Sequence, residues 1–165
     1  MRNWYFGDRN GAVHAIGALK TKDELSTNFQ YKSDNWRAAR EYYVLTRRYL
    51  KKKYPDGYVT AYRGIGVKDL SGKKVGDSYD LSLDGTTSWS TTIEGARIFS
   101  DRKDKGMVIE AKIPIRDIFT HPDLAYKHFD AKTMEPEKEI IVLSAPDATI
   151  PGKIHHIHEK VSSDK

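Results

Sequence analysis

Two glutamates separated by one residue, Glu137 and Glu139, directly precede the apolar run at 140–143. Side chains alternate along an extended strand, so both carboxylates are expected on the same side of the backbone, where they can act on one substrate. Such a pair can divide the work when its surroundings separate the two pKa values, one group stabilising positive charge and the other taking a proton. The competing interpretation is a solvated strand entry, because 31% of the chain is charged.

Two upstream segments carry further groups suited to ligand binding. Arg63 follows a β-rich run and precedes Gly64; a planar guanidinium suits phosphate, and a glycine lets a ligand approach the backbone. The segment 86–92 is rich in hydroxyl groups, among them Ser90 and Thr91, and leads into a short helical pattern. Taken singly, these features are better explained by a surface arginine and by the hydroxyls of a strand or helix N-cap.

In this order, the three segments resemble the Arg-Ser-Glu class of mono-ADP-ribosyltransferases, the cholera- and clostridial-toxin-like group that also includes phage and vertebrate enzymes. Arg63 matches the arginine at the end of the family's first core strand, and Ser90 begins the match to its Ser-Thr-Ser motif. Glu137 and Glu139 match its Glu-x-Glu motif. One departure is Thr92, which stands where a second serine is usual.

The resemblance implies a transferase that uses NAD as a substrate and releases nicotinamide through an oxocarbenium-like transition state. By this resemblance Glu139 stabilises the developing positive charge, and Ser90 holds its carboxylate in position. Arg63 grips the pyrophosphate, while Gly64 and Thr91 complete the NAD-binding residues. The family requires no metal.

The acceptor side is also implied by the resemblance. Glu137 would orient or deprotonate the acceptor, and the Glu-x-Glu pattern is similar to that of family members that modify arginine. The segment 120–137 would then be the target-recognition loop, with Tyr126 and Phe129 among the residues that contact the target. An ordinary long surface connection is the alternative, although long connections in compact domains are often functional.

Composition agrees with one compact domain. The chain has 165 residues, no cysteine and a formal net charge of +5, and its hydrophobic fraction is 38%. We expect a single domain with a helical N-terminal part (1–56), catalytic core strands (57–145) and a C-terminal strand and tail (146–165). No apolar run reaches the roughly 18 residues of a membrane span, no secretory signal is recognised, and the absence of thiols suits the cytoplasm of the producing or a target cell.

The coarse pattern predicts an α+β fold. A helix is expected from Asp34 to about residue 53, with Ala38, Tyr42, Leu45 and Tyr49 on its core face. Strands are expected at about 58–65, 78–83, 86–92, 107–113 and 139–144, and a polar terminal strand should contain the histidines near 155–158. The family's manner would be two packed, mainly antiparallel sheets with flanking N-terminal helices.

Three hypotheses about partners remain open. A protein arginine is the first choice of acceptor, and RNA or DNA is the second, supported by the pI near 9.2 and a basic stripe on the helix. That stripe contains Arg37, Arg40, Arg47 and Lys51, with Arg48, Lys52 and Lys53 adding to it. An ordinary solvated helical face is the alternative interpretation. The hypothesis of another class is a non-enzymatic, basic nucleic-acid-binding domain. A transferase of this kind would act as a toxin, toxin–antitoxin component or phage effector, with a possible neutralising antitoxin or immunity protein.

Overall fold

The computed structural model describes residues 34–83, 86–125, 138–144 and 148–160, with side chains of the first helix described from Tyr43 onward. Three predicted site residues, Tyr126, Phe129 and Glu137, lie outside the described residues. The helices are α1 (Asp34–Lys53), α2 (Ile93–Ser100) and α3 (Pro122–Ala125). The strands are β1 (Tyr58–Gly66), β2 (Ser78–Leu83), β3 (Thr86–Ser90), β4 (Lys105–Pro114), β5 (Ile118–Thr120), β6 (Glu139–Leu143) and β7 (Ala148–Glu159).

The seven strands form one antiparallel sheet in the order β2-β7-β4-β1-β3-β6-β5. This confirms the mixed α+β class and the antiparallel pairing, whereas the expected pair of packed sheets is not confirmed. The weakest link in the order is between β1 and β3. β1 pairs with β4 along its whole length but with β3 only where Tyr62 stands opposite Ser90. The sheet therefore opens beside the last residues of β1.

The main apolar core covers one face of the sheet on both sides of this junction. Alternation places every second side chain of a strand on the same face, and Val59 and Ala61 of β1 are buried together with Trp89 of β3 and Ile140 of β6. Leu50 of α1 joins the same cluster. One continuous core thus fixes the relative positions of β1, β3 and β6, the strands that carry the predicted site.

The bounds predicted for α1 are confirmed, but the predicted core face is wrong at Leu45, which is 57% exposed. The buried stripe consists of Tyr43, Thr46 and Leu50, which follow the helical spacing one residue away from the expected one. The Tyr43 hydroxyl donates to the carbonyl oxygen of Arg116, which aligns this stripe with the segment after β4. Because Thr46 is polar, the pattern of apolar residues alone does not indicate this buried face.

The predicted strands agree with the structure to within two residues at each end. β3 ends at Ser90 rather than at residue 92, because Thr92 caps α2 instead of continuing the strand. β5 was not predicted, since three residues are too few to show a period. Among the residues that the structure describes, no helix combines the length and apolar character needed to cross a membrane.

Candidate active site

The three sequence motifs meet on three adjacent strands. β3 lies between β1 and β6, with Ser90 opposite Tyr62 on one side and opposite Glu139 on the other. Directly opposed residues in an antiparallel sheet project from the same face. Segments far apart in the chain are thereby brought to one place, and the predicted association of Ser90 with Glu139 is present in the strand register.

The carboxylate of Glu139 is held inside the protein. Glu139 is only 8% exposed, and the hydroxyl of Ser88 donates a hydrogen bond to its Oε1 atom. Ser88 lies two residues before Ser90 and therefore on the same face of β3. Ser88 is an unpredicted neighbour of Glu139, although its spacing of two residues from Ser90 was a signal that could have identified it.

The backbone before Glu139 is fixed by the hydroxyl-rich segment. Thr91 donates its backbone N–H to the carbonyl oxygen of Lys138 at 3.0 Å, and its hydroxyl donates to the same oxygen at 3.3 Å. Lys138 has a φ of +40°, a left-handed conformation that costs a non-glycine residue energy and persists where surrounding contacts impose it. Thr91 therefore sets the chain direction at the entry to β6.

The remaining hydroxyls of the motif organise the start of α2. Ser90 Oγ accepts the backbone N–H of Thr92 at 3.1 Å, and Thr92 Oγ1 accepts that of Gly95 at 3.2 Å as the helix N-cap. Threonine serves at an N-cap nearly as well as serine. The departure from the family pattern at Thr92 thus preserves the hydrogen bond that this position makes.

Arg63 is partly buried against an aromatic ring. Its guanidinium carbon lies 6.0 Å from the ring centroid of Trp89, a cation–π arrangement, and burial lowers the pKa of the guanidinium. One terminal nitrogen, Nη1, is buried and has no hydrogen-bond partner within the described parts of the chain. An unpaired buried donor on a cation is costly, and an anionic ligand would relieve that cost.

Arg63 and Glu139 project from opposite faces of the sheet. Arg63 lies beside Trp89 on the face of the main core, whereas Glu139 shares the other face with Tyr62 and Ser90. β1 and β3 have no register pair beyond the one between Tyr62 and Ser90. A ligand that touches both Arg63 and Glu139 would have to lie at this point of the sheet.

Gly64 has a packing role that the sequence did not reveal. A Cβ at this position would collide with the carbonyl oxygen of Ala96 and lie 2.8 Å from the backbone nitrogen of Ser100. The missing side chain therefore lets α2 pack directly on β1. A ligand cannot approach Gly64 from the helix side, so any contact with it must use the edge that faces β3.

The comparisons with known proteins leave the assignment to geometry and chemistry. No protein-family model, curated protein or solved structure matches the chain.

Proposed function

We propose that the protein is an NAD-dependent mono-ADP-ribosyltransferase with an ADP-ribosyltransferase-like fold. The observation that carries the proposal is the register in which Ser90 stands between Tyr62 and a buried Glu139. Coincidental motifs in a non-enzymatic domain would have no reason to meet on adjacent strands. The proposed fold has two packed, mainly antiparallel sheets, which would meet at the single β1–β3 pair; the weak pairing at this point supports it.

In the proposed reaction, the bond between nicotinamide and the ribose anomeric carbon of NAD breaks, and its electron pair leaves with nicotinamide. A nucleophilic atom of the acceptor forms the new bond to that carbon and releases one proton. Glu139 would stabilise the positive charge that develops on the ribose, because a preorganised carboxylate acts strongly where water is excluded. The burial of Glu139 and the hydrogen bond that it accepts from Ser88 support this role.

Arg63 would bind the pyrophosphate of NAD. The unpartnered Nη1 atom fits this role, because a phosphate oxygen is the acceptor that such a charged donor lacks. Holding one end of the substrate near the opening beside β3 would position the reacting carbon near Glu139. Glu137 would take the acceptor proton, and Tyr126 and Phe129 would contact the target.

A protein arginine is the acceptor we propose first, on the Glu-x-Glu pattern of Glu137 and Glu139. A second candidate is RNA or DNA, favoured by the exposed cations Arg48, Lys51 and Lys52 at the C-terminal end of α1. Either reaction would take place in the cytoplasm of the producing or a target cell. The biological setting would be that of a toxin or phage effector, with a neutralising antitoxin or immunity protein as a possible partner.

The experiment that tests this proposal uses NAD labelled in its adenylate half, the purified protein and a cell lysate. We expect label in macromolecules that survives nuclease and disappears after protease. Label that disappears after nuclease would show that the acceptor is a nucleic acid and not a protein, while the ADP-ribose transfer itself would stand. No incorporation, together with no release of nicotinamide, would reject the transferase.

A further inference from the structure

A second group of ionisable side chains continues the row that contains Ser90 and Glu139. Tyr62 stands opposite Ser90 on one side and opposite Glu110 of β4 on the other. Together with Glu139, which stands opposite Ser90, these residues occupy the same face of the sheet. The row crosses four neighbouring strands. Tyr62 therefore lies next to Ser90, and Glu110 lies one strand farther from the proposed reaction centre at Glu139.

Contacts link Tyr62, Glu110 and His155 into one cluster. His155 Nδ1 lies 3.2 Å from Glu110 Oε2, and the rings of Tyr62 and His155 meet edge to face with centroids 5.5 Å apart. Burial, the charge of Glu110 and a hydrogen bond to its carboxylate raise the pKa of the Tyr62 phenol. A register shift in the β4–β7 pairing between Val108 and Ile109 leaves His155 as the extra residue of β7, and this brings it to the cluster.

The cluster remains open to solvent and has negative character. The side chains of Glu110 and His155 are 36% and 38% exposed, and Glu94 of α2 is near enough for its charge to act on Tyr62. Two cations border it. Arg97 pairs with Asp101 at 3.4 Å. Lys153 stands opposite Glu110 in the β4–β7 register, and its Cε lies toward the turn at Gly76. A local excess of carboxylates is unexpected in a chain with a net charge of +5.

We propose that Tyr62, Glu110 and His155 form a subsite that receives the guanidinium of the acceptor arginine, and that Tyr62 is its specificity-determining residue. A guanidinium can stack on a tyrosine ring while its planar donors bind a carboxylate. Glu110 supplies that carboxylate, and His155 fixes its orientation. Phosphates are repelled by the same surface. This inference rests on the proposed function and favours protein over nucleic acid as the acceptor class.

Transfer to agmatine, a small guanidinium compound, tests the subsite. The quantities to measure are the KM for agmatine and the ratio of transfer to NAD hydrolysis. Glu110→Gln should raise this KM and lower this ratio by about tenfold or more, because a hydrogen bond between charged groups is lost. Tyr62→Leu should raise the KM about fivefold, while Tyr62→Phe, which keeps the ring and loses only the hydrogen bond to Glu110, should raise it less. The matched control is Glu159→Gln, an exposed carboxylate elsewhere on β7.

Agmatine binding without NAD separates this inference from the proposed function. Binding to the wild type that weakens in Glu110→Gln supports the subsite, even if NAD is never cleaved and the transferase proposal fails. Wild-type KM values in both Glu110→Gln and Tyr62→Leu would overturn the subsite and leave the transferase standing. Label found only in RNA or DNA would also overturn it.

Discussion

Ser88 and Ser90 lie on one side of β3 and face Glu139 together. Ser90 is the direct neighbour of Glu139 in the register, while Ser88 donates to its Oε1 atom. Ser88 therefore helps to orient the Glu139 carboxylate. A carboxylate fixed in one orientation stabilises charge better than one that must reorganise during the reaction.

Replacing Ser88 by alanine should impair catalysis more than binding. Ser88→Ala removes one hydrogen bond to a charged group, so we expect kcat for nicotinamide release to fall about tenfold with little change in the KM for NAD. Ser82→Ala, an exposed serine of β2, is the control. Equal rates for Ser88→Ala and the control would mean that Ser88 does not position Glu139.

Single residues were predicted unevenly from sequence. Ser90 and Glu139 could be singled out because their motifs are local, and the register places them opposite each other. Glu110 and His155 were missed because they come from separate strands and meet only through pairing with distant segments. The cation–π contact between Arg63 and Trp89 likewise could not be predicted without the register of β1 and β3.

Two helices hold the site from different sides of the sheet, and each carries a specific contact. α2 packs on β1 through Gly64. α1 reaches the base of the segment that precedes Glu137: the Tyr49 hydroxyl donates to Asp123 Oδ2, and Lys53 forms an ion pair with the same atom. The bounds of both helices follow from local sequence, whereas the faces they bury depend on strand order, which local patterns do not specify.

Adding a methyl group at Gly64 should separate α2 from β1. In Gly64→Ala the new Cβ meets backbone atoms of Ala96 and Ser100, which cannot rotate away. We expect the free energy of unfolding to fall by about 2 kcal/mol or more, measured by urea denaturation. Gly72→Ala gives the comparison, because its Cβ would meet open space and only its positive φ opposes the change. A smaller loss at Gly64 than at Gly72 would contradict this packing.

His121, which packs against Tyr49 of α1, should make the stability of the protein sensitive to acid. It is buried between Tyr49 and Tyr54, and burial lowers its pKa from 6.5 to about 4. Between these values the unfolded chain binds a proton that the folded protein excludes, so stability falls as pH drops through this window. The full shift corresponds to about 3 kcal/mol.

The test is urea unfolding of the wild type and His121→Phe at pH 7 and pH 4.5. We expect the variant to lose about 2 kcal/mol less than the wild type on acidification. Asp123 does not confuse the comparison. Burial opposes its ionisation, but hydrogen bonds from Lys53 and Tyr49 hold its pKa below the usual value, so its contribution is lost only at lower pH. An identical loss in both proteins would show that His121 titrates normally.

At the scale of the whole molecule, charge is distributed unevenly. The face beside the proposed reaction centre carries Glu94, Glu110 and Glu139, while exposed cations gather at the end of α1. The predicted basic stripe is only partly solvated, because Arg47 lies 5.4 Å from the ring centroid of Tyr43 and Lys53 pairs with Asp123. The net positive charge alone suggested an anionic partner. It could not reveal that carboxylates predominate beside the proposed reaction centre.

Neutralising the exposed part of the stripe should therefore leave transfer unaffected. We expect the triple variant Arg48→Gln, Lys51→Gln, Lys52→Gln to modify lysate protein at the wild-type rate, with the same dependence on salt. For a nucleic-acid acceptor, each lost phosphate contact would instead weaken binding and flatten the salt dependence by about one unit of slope. That outcome would favour RNA or DNA as the acceptor.

The most direct test of the central claim is the release of free nicotinamide from NAD by the wild type and by Glu139→Gln. We expect measurable release by the wild type and a rate about a hundredfold lower in a folded Glu139→Gln protein that still binds NAD. Glu159→Gln should match the wild type. A Glu139→Gln protein that releases nicotinamide as fast as the wild type, or a wild type that releases none in the presence of lysate, would contradict the account.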